Sequence, residues 1–193
     1  NQILLNTPGI VSTLCGYQDS YRRVCWYSSE DRYIEQEFGW LGFACRAIAR
    51  DGNNIQDYGE SIGKTLGFEA ITGREDMVER VAKIALDLLK AEPVTAGRYT
   101  VIIDPLLGGV FAHEAFGHLS EADHIAENER LRSMMRIGTR YGVVDLTIVD
   151  DPTLPLEKGS YRYDDEGVPA QRTELIRNGL IASHLHSRQS AYL

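Results

Sequence analysis

His113, Glu114 and His118 give the run VFAHEAFGHLSEADH, residues 110 to 124, the pattern H-E-x-x-x-H. Two imidazoles can hold zinc, and a carboxylate beside them can act as general base on a zinc-bound water without being a ligand itself. The familiar zinc-protease helix has its histidines four residues apart, and here they are five apart. In a regular helix five residues advance ~500°, which leaves the two imidazoles roughly 140° apart on different faces. A π-bulge, with its i→i+5 pairing, absorbs one residue and brings positions 113 and 118 together. Gly117 eases that bulge or a local break. The alternative is a plain helix with one histidine in the core, the other near solvent, and Glu114 an ordinary surface acid. One helix also supplies only two ligands, where a catalytic zinc takes three from protein. The nearest candidates for a third are Glu121, Asp123 and His124, which read equally well as first-turn residues behind an N-cap at Ser120.

Other groups have weaker patterns. Asp164, Asp165 and Glu166 in YDDEG suit a cationic or metal site, but Asp-Glu-Gly is first a turn between strands. His184 and His186 alternate with Leu185, so on a strand they share a face, and a solvated face is the plainer reading. Cys15, Cys25 and Cys45 have no C-x-x-C spacing and read as buried, reduced thiols.

The elements that must position these residues point to an α+β fold with antiparallel sheet segments, a long amphipathic helix and a metal-motif helix. VCWYSS, RYIEQEF and LGFACRAIAR are strand-like runs from Val24 to about Phe68, broken by Gly39, Gly42 and the turn DGNN at 51 to 54. In REDMVERVAKIALDLLKAEP, Met77, Val78, Val81, Ile84, Ala85, Leu88 and Leu89 share one helical stripe, ended by Pro93. YTVIID (99 to 104) reads as a strand ended by Pro105, leading to the histidine helix. A second helix is expected from Ser120 to about Met135, a strand in VVDLTIVDD, and a hairpin in TELIRNGLIASHL closed at Asn178 and Gly179. Two parts follow: an N-terminal meander plus helix over 1–98, and a strand, metal-motif helix and β-rich part over 99–193.

Composition narrows the function class. The 193 residues carry a net charge of −8, with acids and bases interspersed, so nothing favours direct contact with DNA or RNA. No apolar run approaches the roughly 18 residues of a membrane span. Three cysteines without a framework fit reduced thiols in the cytoplasm. The start at Asn1 without methionine and the stop just after a hairpin give the expectation of a piece of a longer chain.

HEAFGHLSEAD resembles the signature of the TldD/PmbA family, specifically its TldD branch of H-E-x-x-x-H zinc metallopeptidases. AIARDGNNIQDYG (47 to 59), YTVIIDP (99 to 105) and YDDEGVPAQRTELIRNGLIASHL (163 to 185) resemble that family's segments in the same order. The resemblance implies His113 and His118 as Zn2+ ligands and Glu114 as general base and acid. It also implies a third ligand, a cysteine in the C-terminal part of a longer chain. No cysteine follows His118 here, so the piece alone is expected to be incomplete or inactive. The partners implied are unfolded peptides or peptide precursors, and either a motif-lacking paralogous subunit (PmbA/TldE-like) or a second copy. The family's historical link to DNA gyrase finds no support in the acidic charge. The competing reading is a non-catalytic peptide-binding or scaffold subunit.

Overall fold

A computed structural model describes residues 1–192, and the chain divides into two compact units, 1–97 with 155–160, and 98–154 with 161–193. In the first unit, helix α1 (Gln2–Leu5) precedes three strands, β1 (Ile10–Tyr27), β2 (Tyr33–Asp51) and β3 (Asn54–Lys64). They form an antiparallel sheet in the order β1-β2-β3, with Tyr27 opposite Tyr33 at one hairpin and Asp51 opposite Asn54 at the other.

The meander is therefore longer and more continuous than the expected start at Val24. Residues 10 to 23 pair with residues 37 to 49 of β2, but most of their side chains are exposed, so the apolar alternation that marks a half-buried strand is missing. Gly39 and Gly42 do not break β2. A Cβ on Gly39 would lie 3.2 Å from the Ser20 carbonyl oxygen, so the glycine reflects close approach of the neighbouring backbone rather than a turn.

Helix α2 (Glu75–Leu88) covers one face of this sheet as its stripe requires. Met77, Val78, Val81, Ala82 and Ala85 are buried with Leu4, Cys45, Ala47 and Ala49. The short side chains of Ala47 and Ala49 leave room for the helix to lie close. Arg80 clamps its outer edge by donating from Nε and Nη2 to the two carboxylate oxygens of Glu60, at 2.8 and 2.6 Å. Residues 155–160 return to this unit, where Lys158 Nζ sits 4.0 Å from the Trp40 ring centre. Of the thiols, Cys45 is buried, Cys15 is half-buried and Cys25 is exposed, so the expectation of buried cysteines fails at Cys25.

The second unit begins with a departure. YTVIID forms no ladder among the described residues, and Val101 and Ile102 are exposed. Helix α3 (Pro105–Ala112) follows. The expected helix from Ser120 to Met135 is two short ones, α4 (Ala122–Glu127) and α5 (Glu129–Met134), split at Asn128. Asn128 is extended and its Oδ1 accepts a hydrogen bond from Leu131 N at 3.0 Å, capping α5 and ending α4 at once. Ser120 is fully buried and caps nothing.

Strand β4 (Ile148–Asp150) occupies only part of VVDLTIVDD. It pairs with β5 (Thr173–Arg177), which turns at Asn178 and Gly179 into β6 (Leu180–Ile181). Both turn residues have positive φ, 51° and 76°, as the tight Asn-Gly hairpin demands. A last helix, α6, spans Arg188–Tyr192. Phe116, Ile125, Met135, Ile176 and Ile181 make the core of this unit, so the residue between Glu114 and His118 that faces inward anchors the motif to the hairpin.

Candidate metal centre

Asp104 and Pro105 set the entry to the site. Asp104 is extended and its Oδ1 accepts from Leu107 N at 2.7 Å, while Pro105 takes the first helical position, where its missing N–H leaves nothing unsatisfied. The chain then runs without a break from α3 into a π turn at His113–Gly117. The His118 N–H reaches back to the His113 carbonyl, an i→i+5 bond. The bulge that the spacing requires is thus formed.

The turn has an inner and an outer side. Phe116, 8 % exposed, points into the core and packs edge-on to Phe111 and Tyr141 with ring centres 6.3 and 5.4 Å away. His113, Glu114 and His118 are exposed on the other side, with one donor atom from each within 4.8 Å of the others. The two imidazoles stand edge to face, 4.5 Å between ring centres, and His118 Nε2 lies 3.9 Å from Glu114 Oε2. Among the described residues no other trio of histidine, cysteine or acid groups is so arranged. Two imidazoles and a carboxylate at this separation are a donor set that suits zinc. Gly117 has ordinary right-handed helical angles, φ −57° and ψ −60°, so the turn does not depend on glycine's freedom.

The three neighbours considered as further ligands go elsewhere. Glu121 spreads its carboxylate between two rings, Oε1 at 2.7 Å from His118 Nδ1 and Oε2 at 3.0 Å from His124 Nε2. Asp123 Oδ1 accepts a hydrogen bond from Ser187 Oγ at 2.9 Å. The Glu121 hydrogen bond, reinforced by the charges of Glu121 and Glu114, holds the His118 pKa above its ordinary value against a desolvation effect of opposite sign. Glu121 is the residue that motif reasoning undervalues. Its i+3 position relative to His118 was visible, but the helix-start pattern at Ser120 competed for it.

The weaker candidates make contacts of their own away from the cluster. Asp164 Oδ1 accepts from Glu166 N and Val168 N at 2.9 and 2.8 Å, and Glu166 Oε2 accepts from Arg188 N at 2.7 Å, so YDDEG is a self-bonded turn tied to α6. His184 Nε2 lies 2.8 Å from the Met135 carbonyl, and its ring is 6.1 Å from that of His186, on irregular chain rather than a strand. Both line a cleft of about 840 Å³ with Asp150, Tyr161, Asp164 and Arg172, and none of His113, Glu114 or His118 lines it. Within that cleft burial, helped by the charge of Asp151, pushes the Asp150 carboxyl up.

Known proteins share both halves of this arrangement. Residues 96–193 match the PmbA/TldA metallopeptidase C-terminal domain and residues 2–89 its central domain. The chain is 40 % identical over 192 residues to a metalloprotease of Synechocystis sp., covering 99 % of this chain and 42 % of that protein. It is 32 % identical over 191 residues to a zinc metalloprotease TldD homolog of Saccharolobus solfataricus, covering 96 % and 42 %. In structure it is similar to TldE from Thermococcus kodakarensis, with a TM-score of 0.62 at 19 % identity over 93 % of this chain and 39 % of that one. A Thermotoga maritima protein named for modulation of a DNA gyrase superposes with a TM-score of 0.80 at 21 % identity, over 99 % and 44 %. The chain spans about two fifths of the length of the curated relatives it matches.

Proposed function

Because the chain belongs to the PmbA/TldD metallopeptidase family, we propose that it carries the metal-binding and proton-transferring half of a zinc peptidase acting on unfolded peptides or peptide precursors. The observation that carries this reading is the π turn, which gathers His113, Glu114 and His118 on one exposed side. The name zinc metalloprotease borne by a relative 32 % identical over nearly the whole chain supports zinc as the ion.

His113 and His118 are the ligands in this reading, and Zn2+ bound there would supply Lewis acidity toward a peptide carbonyl and toward water. Glu114 does the proton work. Its carboxylate takes a proton from the attacking water and hands it to the leaving amine nitrogen, so one group serves as base and then acid. Its exposure leaves it open to water and to a substrate. Two imidazoles are fewer than the three protein ligands of a catalytic zinc. We assign the third to a cysteine in a segment corresponding to the part of the longer relatives that this chain does not span, a reading in which the 193 residues alone are inactive. The partners proposed are a peptide substrate and either a motif-lacking paralogue or a second copy; the likeness to TldE supports the first in fold only. The three free cysteines support a cytoplasmic setting, and no described helix is long and apolar enough to cross a membrane.

Glu114→Gln in the full-length protein tests this. Cleavage of an unstructured peptide falls by about 10²- to 10⁴-fold while bound zinc stays at the wild-type level. Undiminished cleavage would leave the chain a binding or scaffold subunit.

A further inference from the structure

Glu121 makes two contacts that the ligand assignment leaves unused. An ionised carboxylate only accepts hydrogen bonds, so the nitrogen 2.7 Å from Glu121 Oε1, His118 Nδ1, must carry the proton. In the neutral ring that leaves the lone pair on Nε2, the nitrogen that faces Glu114 at 3.9 Å. The other carboxylate oxygen is occupied by His124 Nε2 at 3.0 Å, which keeps the group from swinging away. Its backbone is fixed as well. Leu185 N donates to the Ser120 carbonyl and Ala122 N donates to the Leu185 carbonyl, both at 2.8 Å, so a two-bond bridge to the 182–187 segment brackets Glu121 on either side.

We propose that Glu121 is the positioning residue of the metal centre, an outer carboxylate that sets the tautomer and ring orientation of His118 so that Nε2 is presented as a donor. The inference rests on His118 being a ligand. It explains why an acid lies next to the cluster without joining it: a metal-binding imidazole commonly gives its other N–H to a carboxylate, which fixes the ring and raises its basicity. It also ties the centre to the chain after β6, because the backbone of Leu185 holds Glu121 in place.

Zn2+ titration of the full-length protein, with Glu121→Ala, Glu121→Gln and His113→Ala beside the wild type, tests the proposal. Long-range proton–nitrogen spectra of the metal-free proteins report the His118 tautomer independently. Glu121→Ala weakens Zn2+ binding by about 10- to 100-fold and loses the pure Nδ1–H tautomer, while its backbone amide spectrum keeps the wild-type dispersion. Glu121→Gln, whose amide oxygen still accepts from Nδ1, recovers most of the affinity and the tautomer. An Nε2–H tautomer in the wild type, or a Glu121→Ala variant with wild-type affinity, would overturn it. The metal reading fails separately: Zn2+ binding that is unchanged in His113→Ala removes the centre, whereas the tautomer signal still judges Glu121's contact with His118.

Discussion

The imidazoles of His113 and His118 stand 4.5 Å apart because the His118 N–H bonds to the His113 carbonyl, one residue further back than an α-helix reaches. A single extra residue thereby becomes an outward bulge with two rings and a carboxylate on it. The bulge survives because Phe116 is held from the other side by Ile176, Ile181 and Met135. Helix hydrogen bonding alone favours the regular α form over a π turn, so core packing has to oppose it.

Phe116→Ala tests that opposition. Removing a buried aromatic ring that touches Phe111 and Tyr141 is expected to lower stability by about 3 to 5 kcal/mol. Zn2+ affinity should fall with it under conditions where the protein is still folded, since the turn relaxes toward regular helix and separates the rings. Denaturant unfolding and metal titration measure the two effects. A variant that loses stability but keeps full affinity would show that the turn is self-supporting.

Gly117→Ala is expected to go the other way. The backbone at Gly117 is right-handed helical, and an added Cβ meets nothing closer than His113 Nδ1 at 3.8 Å. Alanine therefore fits, and the lost freedom of the unfolded chain should raise stability by about 0.5 to 1 kcal/mol with metal binding unchanged. A drop in the melting temperature, or displacement of His113 seen as weaker Zn2+ binding, would contradict the geometry.

Glu60 gives the first unit an acid-sensitive link. The paired hydrogen bonds from Arg80 hold its carboxyl below the ordinary value of 4.5, outweighing the opposing effect of partial burial. A carboxyl with a depressed folded pKa binds its proton more tightly in the unfolded chain. Its stabilisation is therefore fully present above about pH 4.5 and drains away as pH falls through the lower folded value. Glu60→Gln should cost about 1 kcal/mol or less at pH 7. The gap between wild type and variant should close in acid. Melting curves from pH 7 to 3 check this; a gap that is constant across the range would mean the charge pairing contributes nothing.

Much of the fold and of the site is legible in the sequence. The α2 stripe, the Asn178-Gly179 hairpin and the DGNN turn each have a local cause, a 3.6-residue period or a positive-φ requirement, that sequence displays directly. The π turn was readable as a requirement, since His113 and His118 converge only if one residue is absorbed. Other features depend on partners that periodicity does not reveal. Residues 10 to 23 are strand because β2 is beside them, not because their own side chains alternate. Asn128 divides α4 from α5 through a cap that the surrounding charged residues gave no reason to place there. Glu121 was ambiguous for the same reason: a carboxylate after Ser120 serves a helix start or an imidazole equally well until the third dimension decides.

The stretch 101 to 111 carries the last prediction. Val101, Ile102, Leu106, Leu107, Val110 and Phe111 are all exposed, and α3 buries none of its residues although its composition is almost wholly apolar. An extended apolar segment followed by an apolar helix, with neither covered, is a larger exposed patch than a stable monomer ordinarily tolerates. YTVIID has the strand-forming residues that its sequence advertised, and its apolar side chains at Val101 and Ile102 lie open to solvent. The 193-residue chain should therefore bind a hydrophobic dye such as ANS and associate as its concentration rises. Val101→Ser with Ile102→Ser should reduce both without changing the melting temperature by more than a few degrees, because neither side chain is packed against anything that folding has to keep. Sedimentation across a concentration series measures it. A strictly monomeric, dye-silent wild type would mean that these side chains are covered in solution, and a sharp fall in melting temperature in the double variant would mean that the segment is already part of the core.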